Sequence, residues 1–274
     1  MKTDLVITSP ANAQIKLIRK LRDRKFRNET GLFFIEGIRS VIEAIQQPDL
    51  LEQLIIAPEI LDNSKAIEET QKAKQRGISV LEVSTDVFRS LSEKDGPQGL
   101  AAVGRQAWLD LQQWQEPITG IWIALYEVAD PGNLGTIIRT LDGMGGQGVI
   151  LLDRCTDPYD PSAIRASMGT LFNKQILKSS LSEFINWKKS REIKLVGAVD
   201  SATRKYNEYV YPNDLLLVMG SEREGIPDEL KKECDELVSI PMLGKADSLN
   251  LGVASSILLY EIAKQLHLLD RGER

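Results

Sequence analysis

The chain has 274 residues, 42% of them hydrophobic, and a net charge of −5, which suits one large or two small globular domains and not a wholly basic nucleic-acid binder. A single histidine, His267, leaves no multi-histidine metal site or HExxH helix and argues against a Ser-His-Asp triad. Cys155 and Cys234 lack metal-type spacing and read as reduced thiols, and no run reaches the ~18 apolar residues of a membrane span, so neither metal nor membrane is expected.

Residues 1–4 show no apolar signal-peptide run, which points to the cytoplasm. Residues 11–27 read as one basic amphipathic helix with Ile15, Leu17, Ile18 and Leu21 as its apolar stripe. Between Lys16 and Arg27 lie seven basic residues against one acid, Asp23. Clustered cations suit either a solvated face or a phosphate-binding surface. Lys16, Arg19, Lys20, Arg22 and Lys25, with Arg39 beyond them, are the RNA-binding candidates. Strands follow at 32–35, 53–57, 79–83 and 100–103, alternating with helices at 38–46, 63–75 and 85–91. Gly77 sits where a left-handed helix stop belongs, and Thr85 reads as a cap. Together they predict a small α/β domain over residues 1–105. Residues 106–117 are polar apart from Trp108 and Trp114 and read as a linker, with the tryptophans available for packing between domains.

The second domain is expected over 118–274. The runs 121–125, 148–152, 195–199 and 215–219 are continuously apolar, as in strands covered on both faces of a parallel sheet, and 237–241 is a final strand. Helices are expected from 134 to 143, with Asn133 as its cap, and at 161–168, 181–190 and 228–234. The chain closes in a long helix that Ser248 or Asn250 can cap, and small residues at 252, 254, 255 and 256 suggest a close approach to other backbone. The glycines of 143–148 follow a helix and precede a strand, the wrong context for a dinucleotide fingerprint.

Ligands of open parallel sheets bind beyond the C-terminal ends of the strands, and three such ends carry unusual loops: residues 130–140, 219–226 and 240–250. In this order they resemble the three motifs of the SpoU-type (TrmH-like) family of the SPOUT superfamily, matched here at 133–139, 217–225 and 240–261. The resemblance covers about 118–265. Residues 1–105 are similar, more loosely, to the family's ribosomal-protein-like RNA-binding domain.

The resemblance implies an RNA 2′-O-ribose methyltransferase that uses S-adenosyl-L-methionine, with rRNA as the expected substrate. The alternatives are a tRNA ribose methyltransferase and a non-catalytic RNA-binding or assembly protein on the same scaffold. It further implies a mostly parallel sheet with helices on both faces, a C-terminal trefoil knot that forms the cofactor site, and a homodimer. By the same resemblance Arg139 is the proposed base, Asn133 positions the ribose or phosphate, and Glu222, Ser248 and Asn250 orient Arg139 or substrate. An arginine stays charged at accessible pH, so a phosphate clamp is an equally physical role for Arg139. Gly220, Ile240 and Leu249, with Val199 and Met242, are the implied contacts of the cofactor, and no metal is implied.

Overall fold

The computed structural model describes residues 6–93 and 95–271; residues 1–4 lie outside that range. In chain order the elements are α1 (Ala13–Lys20), α2 (Arg24–Thr30), β1 (Leu32–Glu36), α3 (Ile38–Ile45), β2 (Leu51–Ile56), α4 (Ser64–Gln75), β3 (Ser79–Glu82), α5 (Thr85–Leu91) and β4 (Leu100–Arg105). There follow β5 (Leu109–Asp110), β6 (Ile121–Tyr126), α6 (Pro131–Gly143), β7 (Gly148–Leu152), α7 (Pro161–Ser167), β8 (Gln175–Ser179), α8 (Leu181–Lys189) and β9 (Lys194–Ala198). The last are β10 (Arg204–Lys205), β11 (Leu215–Met219), α9 (Asp228–Glu233), β12 (Glu236–Ser239) and α10 (Leu251–Gln265). Among the described residues no helix is long and apolar enough to cross a membrane.

The chain divides into two compact units, one of Met1–Ala107 with Asp157–Asn173, the other of Trp108–Thr156 with Lys174–Arg274. In the first, β4 lies between β1 and β2 and runs antiparallel to both, while β3 extends the sheet parallel to β2. The apolar side chains of α1 and α5 pack with Phe34, Ile55, Ala101 and Val103 of that sheet. The single basic helix expected over 11–27 is two helices. Asp23 accepts from the amides of Lys25 and Phe26, capping α2 and breaking the run. Arg27, expected on the charged face, is 1% exposed: it donates to Asp157 (2.8 Å), Asp160 (3.2 Å) and the carbonyls of Leu21 and Arg22. A buried guanidinium is tolerated only when paired and hydrogen-bonded in this way. Ser84, not Thr85, caps α5.

The second unit is an eight-stranded sheet in the order β10-β12-β9-β11-β6-β7-β8-β5, every neighbouring pair parallel. Trp122 and Ala124 of β6 pack with Phe184 of α8 and Leu230 of α9. Ile121, Ile123 and Leu125 point the other way along the strand and are also fully buried, which is why the run shows no alternation. Part of the stretch read as a linker belongs to this unit. Leu109 and Asp110 pair with β8, Trp114 packs edge-on against Trp122, and Lys178 lies 5.1 Å from the centre of the Trp108 ring. Strand β8 went unread because Gln175, Lys178 and Ser179 dilute its apolar pair.

Candidate functional site

Helix α6 begins at the C-terminal end of β6. Asp130 is its cap, accepting the Asn133 amide at 2.7 Å, and Pro131 takes the first turn, where its missing N–H costs nothing. Asn133, expected to be the cap, is thereby left with a free carboxamide one turn into the helix. Its Nδ2 donates to Glu222 Oε1 at 3.0 Å, and its Oδ1 accepts from Asn250 Nδ2 at 2.9 Å. Asn250 in turn caps α10 through the Val253 amide. Glu222 also accepts from the amides of Ala129 and Asp130. Partial burial works to raise its carboxyl, but the hydrogen bonds from Asn133 and these amides outweigh that and hold it below its ordinary value. The result is a hydrogen-bonded line, Glu222–Asn133–Asn250, drawn from the ends of β6, β11 and β12.

Glu222 stands at the tip of a turn in which Ser221 and Gly225 exchange backbone hydrogen bonds. Gly220 lies beneath that turn: a Cβ there would sit 1.9 Å from Gly225 C and 2.2 Å from Ile226 N. Its glycine is required by the turn's own backbone, and it does not line the cleft described next.

Beside the polar line, at the ends of β9, β11 and β12, lies a cleft walled by Val199, Met219, Ile240, Met242 and Leu249. Asp200, Asp247 and Ser248 supply its polar groups. Four of the five expected cofactor residues thus come together, with Leu249 in the cleft and its neighbour Asn250 in the polar line. The donor set suits an adenosyl group: apolar faces for a base, carboxylates for ribose hydroxyls or a sulfonium cation. Its volume is about 130 Å³, and the exposed segment 241–248 borders it.

Arg139 is not part of either cluster. It is exposed on α6, six residues beyond Asn133, which places it about 9 Å further along the axis and about 120° around it. Ser248 lines the cleft and makes no hydrogen bond to the polar line among the described residues. The sequence reading missed Asp130, whose signal was an acid immediately before a proline. It also missed Glu127, which lines a recess together with Glu222 and has φ +48°.

Of the RNA-binding candidates, Lys16, Lys20, Lys25 and Arg39 are exposed. Arg19 and Arg22 are not free cations. Arg19 donates to Ser90, and Arg22 donates to Leu91 and Ser92 while pairing with Glu93 at 3.2 Å. Burial pushes Cys155 up to about 11 and Cys234 up to about 12, so neither is a thiolate at neutral pH.

The polar line and the cleft lie at the C-terminal edge of a parallel α/β sheet, and sequence comparison identifies the family that carries them. The SpoU rRNA Methylase family matches residues 120–260, and the MRM3-like substrate binding domain matches 12–102. The chain belongs to the SpoU rRNA methylase family. It is 29% identical over 256 residues to the 23S rRNA (guanosine(2553)-2′-O)-methyltransferase RlmP of Bacillus subtilis, covering 93% of this chain and 98% of that one. It is 28% identical to a 23S rRNA (uridine(2479)-2′-O)-methyltransferase of Streptomyces viridochromogenes, covering 89% and 87%. An AdoMet-bound rRNA methyltransferase from Sinorhizobium meliloti superposes with a TM-score of 0.84 at 33% identity, over 96% and 98% of the two chains.

Proposed function

We infer that this chain transfers the methyl group of S-adenosylmethionine to a ribose 2′-hydroxyl of rRNA. The observation that carries the reading is the line Glu222–Asn133–Asn250, set directly beside the cleft through the Leu249–Asn250 step. Val199, Ile240, Met242 and Leu249 would hold the adenosyl group. Bound there, the cofactor supplies a methyl already activated on its sulfonium, so the protein has to orient the ribose and help its weakly acidic hydroxyl lose a proton.

Glu222 and Asn250 fix which way the Asn133 amide points. One N–H and one lone pair of that amide remain for RNA. The Glu222 charge is satisfied by its amide donors, which suits it to holding Asn133 and not to taking a proton. Ser248 presents a hydroxyl at the cleft. Arg139 acts from outside the line, on the target phosphate or on the departing proton.

The same reading takes the catalytic domain as beginning near residue 118, tied in a trefoil knot, with the first unit as the RNA-binding domain. It takes a homodimer in the cytoplasm as the working form. Support for the close threading of α10 is its packing on α6: Ser256 Oγ lies 2.9 Å from Thr140 Oγ1, and Gly252 faces Thr136. Support for a second copy is the recess beside α10, where Val253 and Tyr260 are 48% and 54% exposed.

Calorimetry with S-adenosylmethionine, followed by labelled methyl transfer to rRNA and mapping of 2′-O-methyl positions, tests the function. Binding without transfer to any RNA would leave an RNA-binding scaffold. Arg139→Ala should retain cofactor affinity and lose at least ~10²-fold in single-turnover rate at saturating RNA, the scale of a lost acid–base or charge-stabilising group. A loss confined to KM would make it a phosphate clamp.

A further inference from the structure

The first unit carries a groove unconnected with the polar line. Its volume is about 480 Å³, within the roughly 300–1,000 Å³ range of ligand pockets. Leu17 of α1, Leu21 just after it, Phe26 of α2, Leu32 and Val103 wall it, and Leu17 remains 53% exposed at its mouth. One edge is a rail of neutral polar groups. Gln14 Nε2 donates to Gln53 Oε1 at 2.8 Å, and Gln53 Nε2 donates to Ser79 Oγ at 3.1 Å. This chain of bonds leaves the Gln14 carbonyl as an acceptor, and the second N–H of each amide and the Ser79 hydroxyl as donors.

The surroundings are cationic. Lys20 holds its ammonium 5.6 Å from the centre of the Phe26 ring, at the groove wall, and Lys16 and Lys25 are exposed on the same two helices, Lys25 with its ammonium 4.0 Å from Glu29 in a solvent-exposed pair. The acid in the lining, Glu52, is paired with Arg105. An aromatic wall, a neutral donor–acceptor edge and flanking cations are complementary to a stacked base with its phosphate; they match neither an acidic cofactor alone nor an apolar peptide.

We propose that this groove receives one unpaired RNA nucleobase, its face on Phe26 and Leu17, its edge on Gln14 and Gln53, and its flanking phosphates on Lys16, Lys20 and Lys25. The proposal deepens the reading of the chain as an RNA enzyme and rests on it. It makes the first unit a reader of single-stranded RNA.

The probe is a labelled single-stranded RNA of about 12 nucleotides, titrated by fluorescence anisotropy against the full chain. Leu17 is exposed, so Leu17→Asn and Leu17→Glu should both fold, as circular dichroism will show. Each should weaken binding about tenfold, the scale of one lost stacked base. Neither should alter S-adenosylmethionine affinity, nor the binding of a duplex of the same sequence. A loss in Leu17→Glu with none in Leu17→Asn would mean a general charge effect and overturn the groove. So would 4-thiouridine crosslinks that map only outside residues 14–32, 52–53, 79 and 103. Unchanged RNA binding in both variants, with cofactor binding intact, would sink the groove and leave the enzyme standing. Failure of the wild-type chain to bind the cofactor would instead sink the enzyme reading.

Discussion

Gly220 distinguishes two physical explanations of one residue. Read from the sequence, it allows the adenosyl group to approach the backbone, so a larger side chain would block the cofactor and leave the domain folded. In the structure, the Cβ of Gly220→Ala would stand 1.9 Å from Gly225 C and 2.2 Å from Gly225 O, against backbone that cannot rotate aside. Relief requires the 221–225 turn to shift by about an ångström, a forced overpacking that costs roughly 1–3 kcal/mol. At roughly 2–4 °C per kcal/mol for a unit of this size, the melting temperature should fall by about 2–12 °C. The same shift moves Glu222 away from Asn133, so methyl transfer should fall further than the folded fraction does. Cofactor affinity, measured by calorimetry well below the melting transition, should stay near wild type because Gly220 does not line the cleft. A Gly220→Ala chain that melts like wild type but no longer binds S-adenosylmethionine would refute this reasoning and restore the steric-block explanation.

Arg27→Ala should destabilise the chain by about 3–5 kcal/mol, since it strands the 3%-exposed Asp157 without its partner, and Arg27→Lys should recover only part; a thermal or urea loss below about 1 kcal/mol would contradict the buried pair. Glu222 has a lowered folded value, so its stabilising contribution is full above 4.5 and fades as pH falls through that lower value. The melting-temperature gap between wild type and Glu222→Gln should therefore shrink on acidification from about pH 5 to about pH 3, and a constant gap would deny the carboxylate its role. Alanine at Lys16, Lys20 and Lys25 should flatten the salt dependence of RNA binding, whereas alanine at Arg19 and Arg22 should chiefly lower thermal stability; equal salt slopes for the two triple- and double-substituted chains would show that the split is wrong.

What could be read from the sequence followed how local each signal is. Strands β6, β7, β9 and β11 were legible because burial on both faces writes itself as a continuous apolar run. The three motif loops were legible as a set, and the structure brings Asn133, Glu222 and Asn250 within hydrogen-bond reach. Arg27 was not legible, because what buries it is 130 residues away at Asp157. The split of Arg19 and Arg22 from the lysines around them also depends on distant partners, in α5 and just beyond it. Strand β5 is two residues long and owes its existence to β8, which was itself too mixed in polarity to show. The cap of α6 is Asp130 and not the expected Asn133, because Pro131 fits the first helical position directly after it.

The assignment of Asp157–Asn173 to the first unit has a consequence for the order of synthesis. A chain emerging from a ribosome has the first four strands in hand once Ala107 is made, but the acids that neutralise Arg27 are not yet translated. At about 5–20 residues per second, Asn173 follows Ala107 by roughly 3–13 s, during which the nascent first unit must keep an unpaired guanidinium in water and an edge of its core open. Domain-by-domain folding is thus unavailable to this protein in its simple form. A fragment cut at 107 should be a poor guide to the RNA-binding half of the molecule, and a nascent chain arrested between 107 and 173 should be far more protease-sensitive than one arrested shortly after.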